Sequence, residues 1–174
     1  MISSGWPDGW RLERLTKDHR RKTFVSGQVQ VDDWLCTKAL QSQNKRLTIT
    51  SVLLDDRQSV AGFYTLATGQ VEFSDLPHDL ARNLPRRRLP VAMLAWLGID
   101  KNHQGFGIGR QLLARALRDC YEAGQTFSFI AVVVDCVDDA AKSFYRQFDF
   151  QEMPGHPYRL FLSSAQLDAM MAGK

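Results

Sequence analysis

Two near-continuous apolar runs bracket a glycine-rich turn and an amphipathic stretch between residues 90 and 135, and this arrangement restricts the fold more than any other feature of the chain. "PVAMLAWLGID" at 90–100 and "FSFIAVVVD" at 127–135 lack the alternation of a half-exposed strand and read as strands covered on both faces. Between them Ile108, Leu112, Leu113, Ala116, Leu117 and Cys120 repeat with the spacing of a helix laid on a core, while Arg110, Gln111, Arg115, Arg118 and Asp119 take the other face. Gly124 is expected to close this helix as its C′ residue. Strand, helix, strand in that order implies a parallel pair joined by a crossover.

The flanking segments make the fold mixed. "WRLERL" at 10–15 reads as an extended piece, and "VDDWLCTKALQSQNK" at 31–45 as a helix that buries Val31, Trp34, Leu35, Ala39 and Leu40. "LTITSVLLD" and "SVAGFYTLATGQVEF" are β-branched and aromatic, with "DDRQ" between them as a hairpin turn. Pro77, Pro85 and Pro90 punctuate a connection over 74–90 that has room for a helical turn or two. Asp138 or Asp139 can cap a helix over "DAAKSFYRQF", whose Ala141, Phe144, Tyr145 and Phe148 share a face, and "YRLFLS" supplies a last strand. The expected class is α/β (α+β): antiparallel strands early, a parallel βαβ unit in the middle, and flanking helices. At 174 residues and 44% hydrophobic, the chain fits one domain over 1–174 with a full core.

Several function classes drop out. The first residues contain no apolar leader, and the run at 91–99 is too short to span a bilayer, so a soluble cytoplasmic protein with no membrane role is expected. Cys36, Cys120 and Cys136 have no metal-ligand spacing and read as reduced structural thiols; no metal is expected. A net charge of +3 is mild, so only its distribution can argue for an acidic partner.

Gly105, Gly107 and Gly109 open the helix at alternate positions, where glycine is costly unless something must approach the backbone closely. Exposed amides at a helix N-terminus form an anion site. A dinucleotide fingerprint fits poorly, since position 110 is Arg and Asp135 is a weak candidate for the acidic partner; the G-x-x-x-x-G-K-S/T loop is absent. What stands here is Gln104, two residues, Gly107, one residue, Gly109, directly after an apolar strand.

That strand, "QGFGIG" and the helix resemble the acetyl-CoA motif of the GCN5-related N-acetyltransferases (GNAT), in its Q/R-x-x-G-x-G/A form, and "DAAKSFYRQFDF" is similar to the family's later helix and strand. A narrower likeness runs through "VDDWLCTKAL", "PVAMLAWLGIDKNHQGFGIGRQLL", "DDAAKSFYRQFDF" and "PYRLFLS". In order and spacing these resemble the TacT-like, tRNA-acetylating GNAT toxins of bacterial type II toxin–antitoxin pairs. Departures are Asp149 where the family usually has Gly, Trp96 where related toxins often carry Arg, and Gly98 in place of a small Ala.

The resemblance implies a GNAT fold with acetyl-CoA as cosubstrate. It implies cofactor contacts from Leu97, Gly98 and Ile99 on the strand, from the loop through Gln104, Gly105, Phe106, Gly107, Ile108, Gly109 and Arg110, and from Phe144. Tyr145, by pattern alone a core aromatic, becomes under the resemblance the acid that protonates the leaving thiolate. None of His19, His78, His103 and His156 points to a site; surface or capping roles are expected for all four. Without a base, the acceptor needing least help is an amine already partly neutral. An α-amine has a pKa of about 7.7–8.0, against about 10.4 for lysine.

Arg82, Arg86, Arg87 and Arg88 lie on the connection entering the apolar strand and, with Lys45 and Arg46, are candidates for tRNA phosphates. The expected function is therefore acetyl transfer to the α-amine of aminoacyl-tRNA, inhibiting translation. Alternatives are a small-molecule amine N-acetyltransferase and a non-catalytic binding module. A ribbon-helix-helix antitoxin and a homodimer are further implications of the resemblance.

Overall fold

The computed structural model describes residues 5–173. In chain order the elements are β1 (Arg11–Arg14), α1 (Val29–Asp33), a π-helical segment (Trp34–Lys38), α2 (Ala39–Asn44), β2 (Ile49–Leu54) and β3 (Val60–Val71). Then come α3 (His78–Ala81), β4 (Leu89–Ile99), α4 (Ile108–Gly124), β5 (Ala131–Asp135), α5 (Asp139–Arg146), β6 (Gln151–Met153), β7 (His156–Ser163) and α6 (Ser164–Met171). The strands form one mixed sheet in the order β1-β2-β3-β4-β5-β7-β6. β4 and β5 are the expected parallel pair, with Ala92 opposite Val132 and Leu94 opposite Val134. The pairs β1–β2, β2–β3, β5–β7 and β6–β7 are antiparallel.

The chain divides into two compact units, residues 1–67 with 95–117 and residues 68–94 with 118–174. In the first, Leu15, Phe24, Val31, Leu35, Ala39, Val52, Leu54, Val60 and Phe63 form a buried cluster, with Trp34, Leu40 and Trp96 against it. The helix expected over 31–45 begins at Val29 and is interrupted: the Ala39 amide donates to the Trp34 carbonyl, a π turn rather than an α turn. Trp34 stacks on Trp96, centroids 5.3 Å apart and planes within 11°, and donates its indole N–H to Thr65 Oγ1 at 3.0 Å. Buried Thr65 in turn shares a 2.7 Å bond with buried Thr50, so both hydroxyls are satisfied away from water.

The second unit buries Val71, Leu76, Leu89, Val91, Ala131, Val133, Met153 and Phe161. Asp138, not Asp139, caps α5 by accepting from the Ala141 amide at 2.8 Å. α6 was not expected from apolar periodicity, but its start carries a capping box: Ser163 Oγ accepts from the Gln166 amide, and Gln166 Oε1 accepts from the Ser163 amide.

The expectation for Gly124 is corrected. It is the last residue of α4, not a left-handed residue beyond it. A Cβ there would lie 3.1 Å from the Phe129 ring, so close packing, not chain reversal, accounts for the glycine. Position 149 does need the left-handed conformation: Asp149 has φ 69°, which explains why glycine is usual there and why a short acidic residue can stand in for it.

All cysteines among the described residues are free thiols, and burial pushes the Cys120 thiol up to about 12 and the Cys136 thiol up to about 11. Among those residues no helix is long and apolar enough to cross a membrane, and no cluster of His, Cys, Asp or Glu could hold a metal.

Candidate active site

β4 ends at Ile99, and Asp100 caps a 3₁₀ turn over Lys101–His103 by accepting from the Asn102 amide. The strand end is pinned: the Asp100 amide donates to the Ala61 carbonyl and the Lys101 amide to the Val25 carbonyl, each at 2.8 Å. Gln104 follows, and its side-chain amide donates to the carbonyls of Ser26 (2.7 Å) and Ile99 (2.9 Å). The side-chain N–H groups of Gln104 thus tie the loop to the strand end, and its own amide donates to the Lys101 carbonyl at 3.4 Å, so the amides that can meet a ligand begin at Gly105.

Gly105 and Gly107 both have positive φ, 85° and 80°, a conformation that glycine adopts without the steric cost of a Cβ. The Gln111 amide bonds the Gly107 carbonyl, so the Ile108 and Gly109 amides precede the first hydrogen-bonded turn of α4. A Cβ built on Gly105 or Gly107 would meet no protein atom within 4 Å. The backbone there faces open space at the positive end of a long helix, which fits the needs of a diphosphate. Phe106, between the glycines, is 77% exposed, while Ile108 is buried and begins the apolar stripe of α4.

Leu97 and Ile99 are half-buried and Gly98 is buried. At Gly98 a Cβ would lie 2.6 Å from Val31 Cγ1 and 3.1 Å from Phe63 Cε1, so here a departure from the usual alanine matches the packing against α1.

In the second unit, Tyr145 on α5 is buried, edge-on to Phe144 (5.2 Å) and Phe150 (5.6 Å). Burial is the main cause that raises its pKa well above the usual phenol value, with a smaller contribution from Cys136. Phe144 is half-buried and also contacts Phe148.

The arginines of the 74–90 connection are exposed, and several have partners: Arg88 Nε donates to Glu72 at 2.8 Å, Arg82 lies 3.7 Å from Asp79, and Arg86 sits over the Phe73 ring at 5.3 Å. Arg87 is exposed beside them. Lys45 and Arg46 are exposed at the end of α2, Arg46 with φ 61°.

The histidines divide. His19 Nδ1 accepts from the Thr16 amide at 2.9 Å, the capping role expected, and His156 lies 3.3 Å from Asp75. His103 differs: its ring is largely buried between Asp55 and Asp100, an arrangement that sequence spacing could not give because Asp55 lies on a distant turn.

Comparison with known proteins agrees with this geometry. An "Acetyltransferase (GNAT) domain" matches residues 47–152. The chain is 36% identical over 140 residues to a "tRNA-acetylating toxin" of Mycobacterium tuberculosis, covering 80% of this chain and 83% of that protein. Among solved structures, AtaT complexed with acetyl-methionyl-tRNAfMet superposes with TM-score 0.85 at 23% identity, covering 93% of this chain and 99% of that one. A mutant AtaT toxin bound to the C-terminus of the antitoxin AtaR and acetyl-CoA gives TM-score 0.79 at 21% identity, covering 94% and 99%. The acetyltransferase domain matched over residues 47–152 defines the chain as an acetyl-transferring enzyme. The chain belongs to the GNAT family of acetyltransferases.

Proposed function

We propose that the chain transfers the acetyl group of acetyl-CoA to the α-amine of an aminoacyl-tRNA, acting in the cytoplasm as the toxin of a toxin–antitoxin pair and blocking translation. The observation that carries this is the loop at 104–109, with Gly105 and Gly107 at positive φ and open space before the α4 N-terminus. The 36% identical relative supports the acceptor class. The same reading takes the partner to be an antitoxin of ribbon-helix-helix type and the active form to be a homodimer.

Acetyl-CoA, when bound, supplies an acyl carbon activated as a thioester. The amides of Gly105 to Gly109 and the positive end of α4 hold the diphosphate, and the backbone of Leu97 to Ile99 holds the pantetheine arm. Attack by the amine forms the N–C bond as the C–S bond breaks, and Tyr145 gives its phenolic proton to the departing sulfur. A phenol is already protonated at neutral pH, so the tyrosine starts as the acid; burial raises its pKa further and makes it a weaker donor than a free phenol, able to give its proton only to a strongly basic departing thiolate. An aminoacyl ester brings an amine that is partly neutral, so its proton can leave to water without a dedicated base, and water returns a proton to the Tyr145 phenolate to complete the turnover. Exposed Arg87 and its neighbours Arg82, Arg86 and Arg88, together with Lys45 and Arg46, attract the phosphates of the tRNA.

Incubation with acetyl-CoA and charged tRNA should yield N-acetyl-aminoacyl-tRNA. Acetylation of free polyamines with charged tRNA untouched would mean a small-molecule enzyme, and absence of heat on titration with CoA or acetyl-CoA would remove the donor site itself.

A further inference from the structure

Asp55 sits in the turn between β2 and β3, where its Oδ1 accepts from the Arg57 and Ser59 amides, each at 2.9 Å. Its other oxygen, Oδ2, lies 3.3 Å from His103 Nε2. Asp100 uses Oδ1 for the Val25 amide and Oδ2 for the Asn102 amide, each at 3.1 Å. That Oδ2 also lies 3.4 Å from His103 Nδ1, a buried atom with no aligned hydrogen bond. Trp10 closes the ring from the side, edge-on at 5.3 Å. Asp55 is 7% exposed and Asp100 8%.

Two buried carboxylates on separate turns would cost stability unless something compensated both. An imidazole has a nitrogen on each side and can face both at once. Its backbone is placed for leverage, since the His103 amide donates to the Asp100 carbonyl at 2.8 Å and the next residue is Gln104.

We propose that His103 is a positioning residue for the cofactor loop: by bridging Asp55 and Asp100 it locks the strand-end turn to the β2–β3 turn and so fixes where Gly105 to Gly109 present their amides. The proposal rests on the reading of that loop as the acetyl-CoA site. A ring nitrogen lost here leaves the fold's core intact but frees the base of the loop.

The test is CoA calorimetry and steady-state kinetics on the full chain with His103→Leu, His103→Gln and Asp55→Asn. His103→Leu should weaken CoA and raise the KM for acetyl-CoA at least about tenfold, as loss of a partner to a buried charge does, with kcat and the acceptor KM nearly unchanged. His103→Gln retains a donor toward Asp55 and should recover affinity to within about threefold of wild type. Asp55→Asn keeps an acceptor for the Arg57 and Ser59 amides and removes the charge; it should weaken CoA about threefold or more, and it serves if the leucine variant does not fold. Wild-type affinity in His103→Leu, or in Asp55→Asn when the leucine variant is unfolded, overturns the proposal. So does a glutamine variant as weak as leucine. If wild type itself binds no CoA, the reading of the loop falls, and this proposal with it.

Discussion

Alanine at position 98 would place a methyl group 2.6 Å from Val31 Cγ1, 3.1 Å from Phe63 Cε1 and 3.5 Å from Phe24 Cζ, all buried side chains. Val31 lies on α1, where a β-branched side chain has essentially one comfortable χ1, so it cannot rotate out of the way cheaply. Phe63 is held edge-on by Phe24 at 5.5 Å. Overpacking of this kind costs about 1–3 kcal/mol. Against it stands the loss of chain freedom in the unfolded state, which favours alanine by about 0.4–1 kcal/mol where the native φ is ordinary. Gly98 is not in the left-handed region, so that gain applies. The clash wins, and Gly98→Ala should destabilise by about 1–2 kcal/mol, lowering Tm by about 2–8 °C. Thermal melts followed by tryptophan fluorescence measure it. Combining the change with Val31→Ala removes the contacted methyl, and the double variant should lose less than the sum of the two singles by about 1 kcal/mol. A single variant that melts with wild type, or strictly additive losses, would refute the packing account of this glycine.

Tyr145→Phe should slow acetyl transfer at least about tenfold while CoA titrations give wild-type affinity, because only the proton-donating oxygen is lost. Replacing Arg87 by alanine should weaken charged-tRNA substrates and reduce the slope of log KM against log salt by about one; adding Arg86→Ala and Arg88→Ala should flatten it further, at the cost of the Phe73 and Glu72 contacts. Stability should fall at alkaline pH. Burial raises the Cys120 and Cys136 thiols to about 12 and about 11, so their contribution is complete below the unfolded thiol pKa and is lost as pH climbs toward those values. Denaturant midpoints should drop between pH 8 and pH 10.5, and native Cys120 should resist alkylation at pH 8 while the unfolded chain reacts; equal midpoints would contradict the sign.

The parts of the fold legible in the sequence are those whose signal is local and periodic. The stripe from Ile108 to Cys120 becomes the buried side of α4, and the apolar runs become the parallel pair β4 and β5; β5 is buried from Ala131 to Val134, but β4 is only partly covered and the second run enters the sheet only at Ala131, leaving Phe127 78% exposed. α6 escaped because a short C-terminal helix carries little periodicity, though Ser163 and Gln166 announced its start. Gly124 misled because a glycine at a helix end serves equally as a reversal or as space for a neighbour, and Phe129 decides which. The interruption between α1 and α2 was hidden, since one extra residue in a turn leaves the apolar spacing almost unchanged. At the site, residue type pointed to Gly105, Gly107 and Gly109 together, but only Gly105 and Gly107 take positive φ, a difference the sequence did not reveal. The bridge from Asp55 through His103 to Asp100 was not, because it joins two turns far apart in the chain whose proximity only the sheet register creates.

Trp6, Trp10, Trp34 and Trp96 all belong to the compact unit that carries the glycine loop, and the other unit has none. Indole emission therefore reports on one half of the molecule alone. Trp34 and Trp96, stacked 5.3 Å apart, are close enough for their indole transitions to interact, so replacing either ring should change the emission of the other. The chain carries its own optical gauge, so loss of structure around the glycine loop can be followed without attaching any dye.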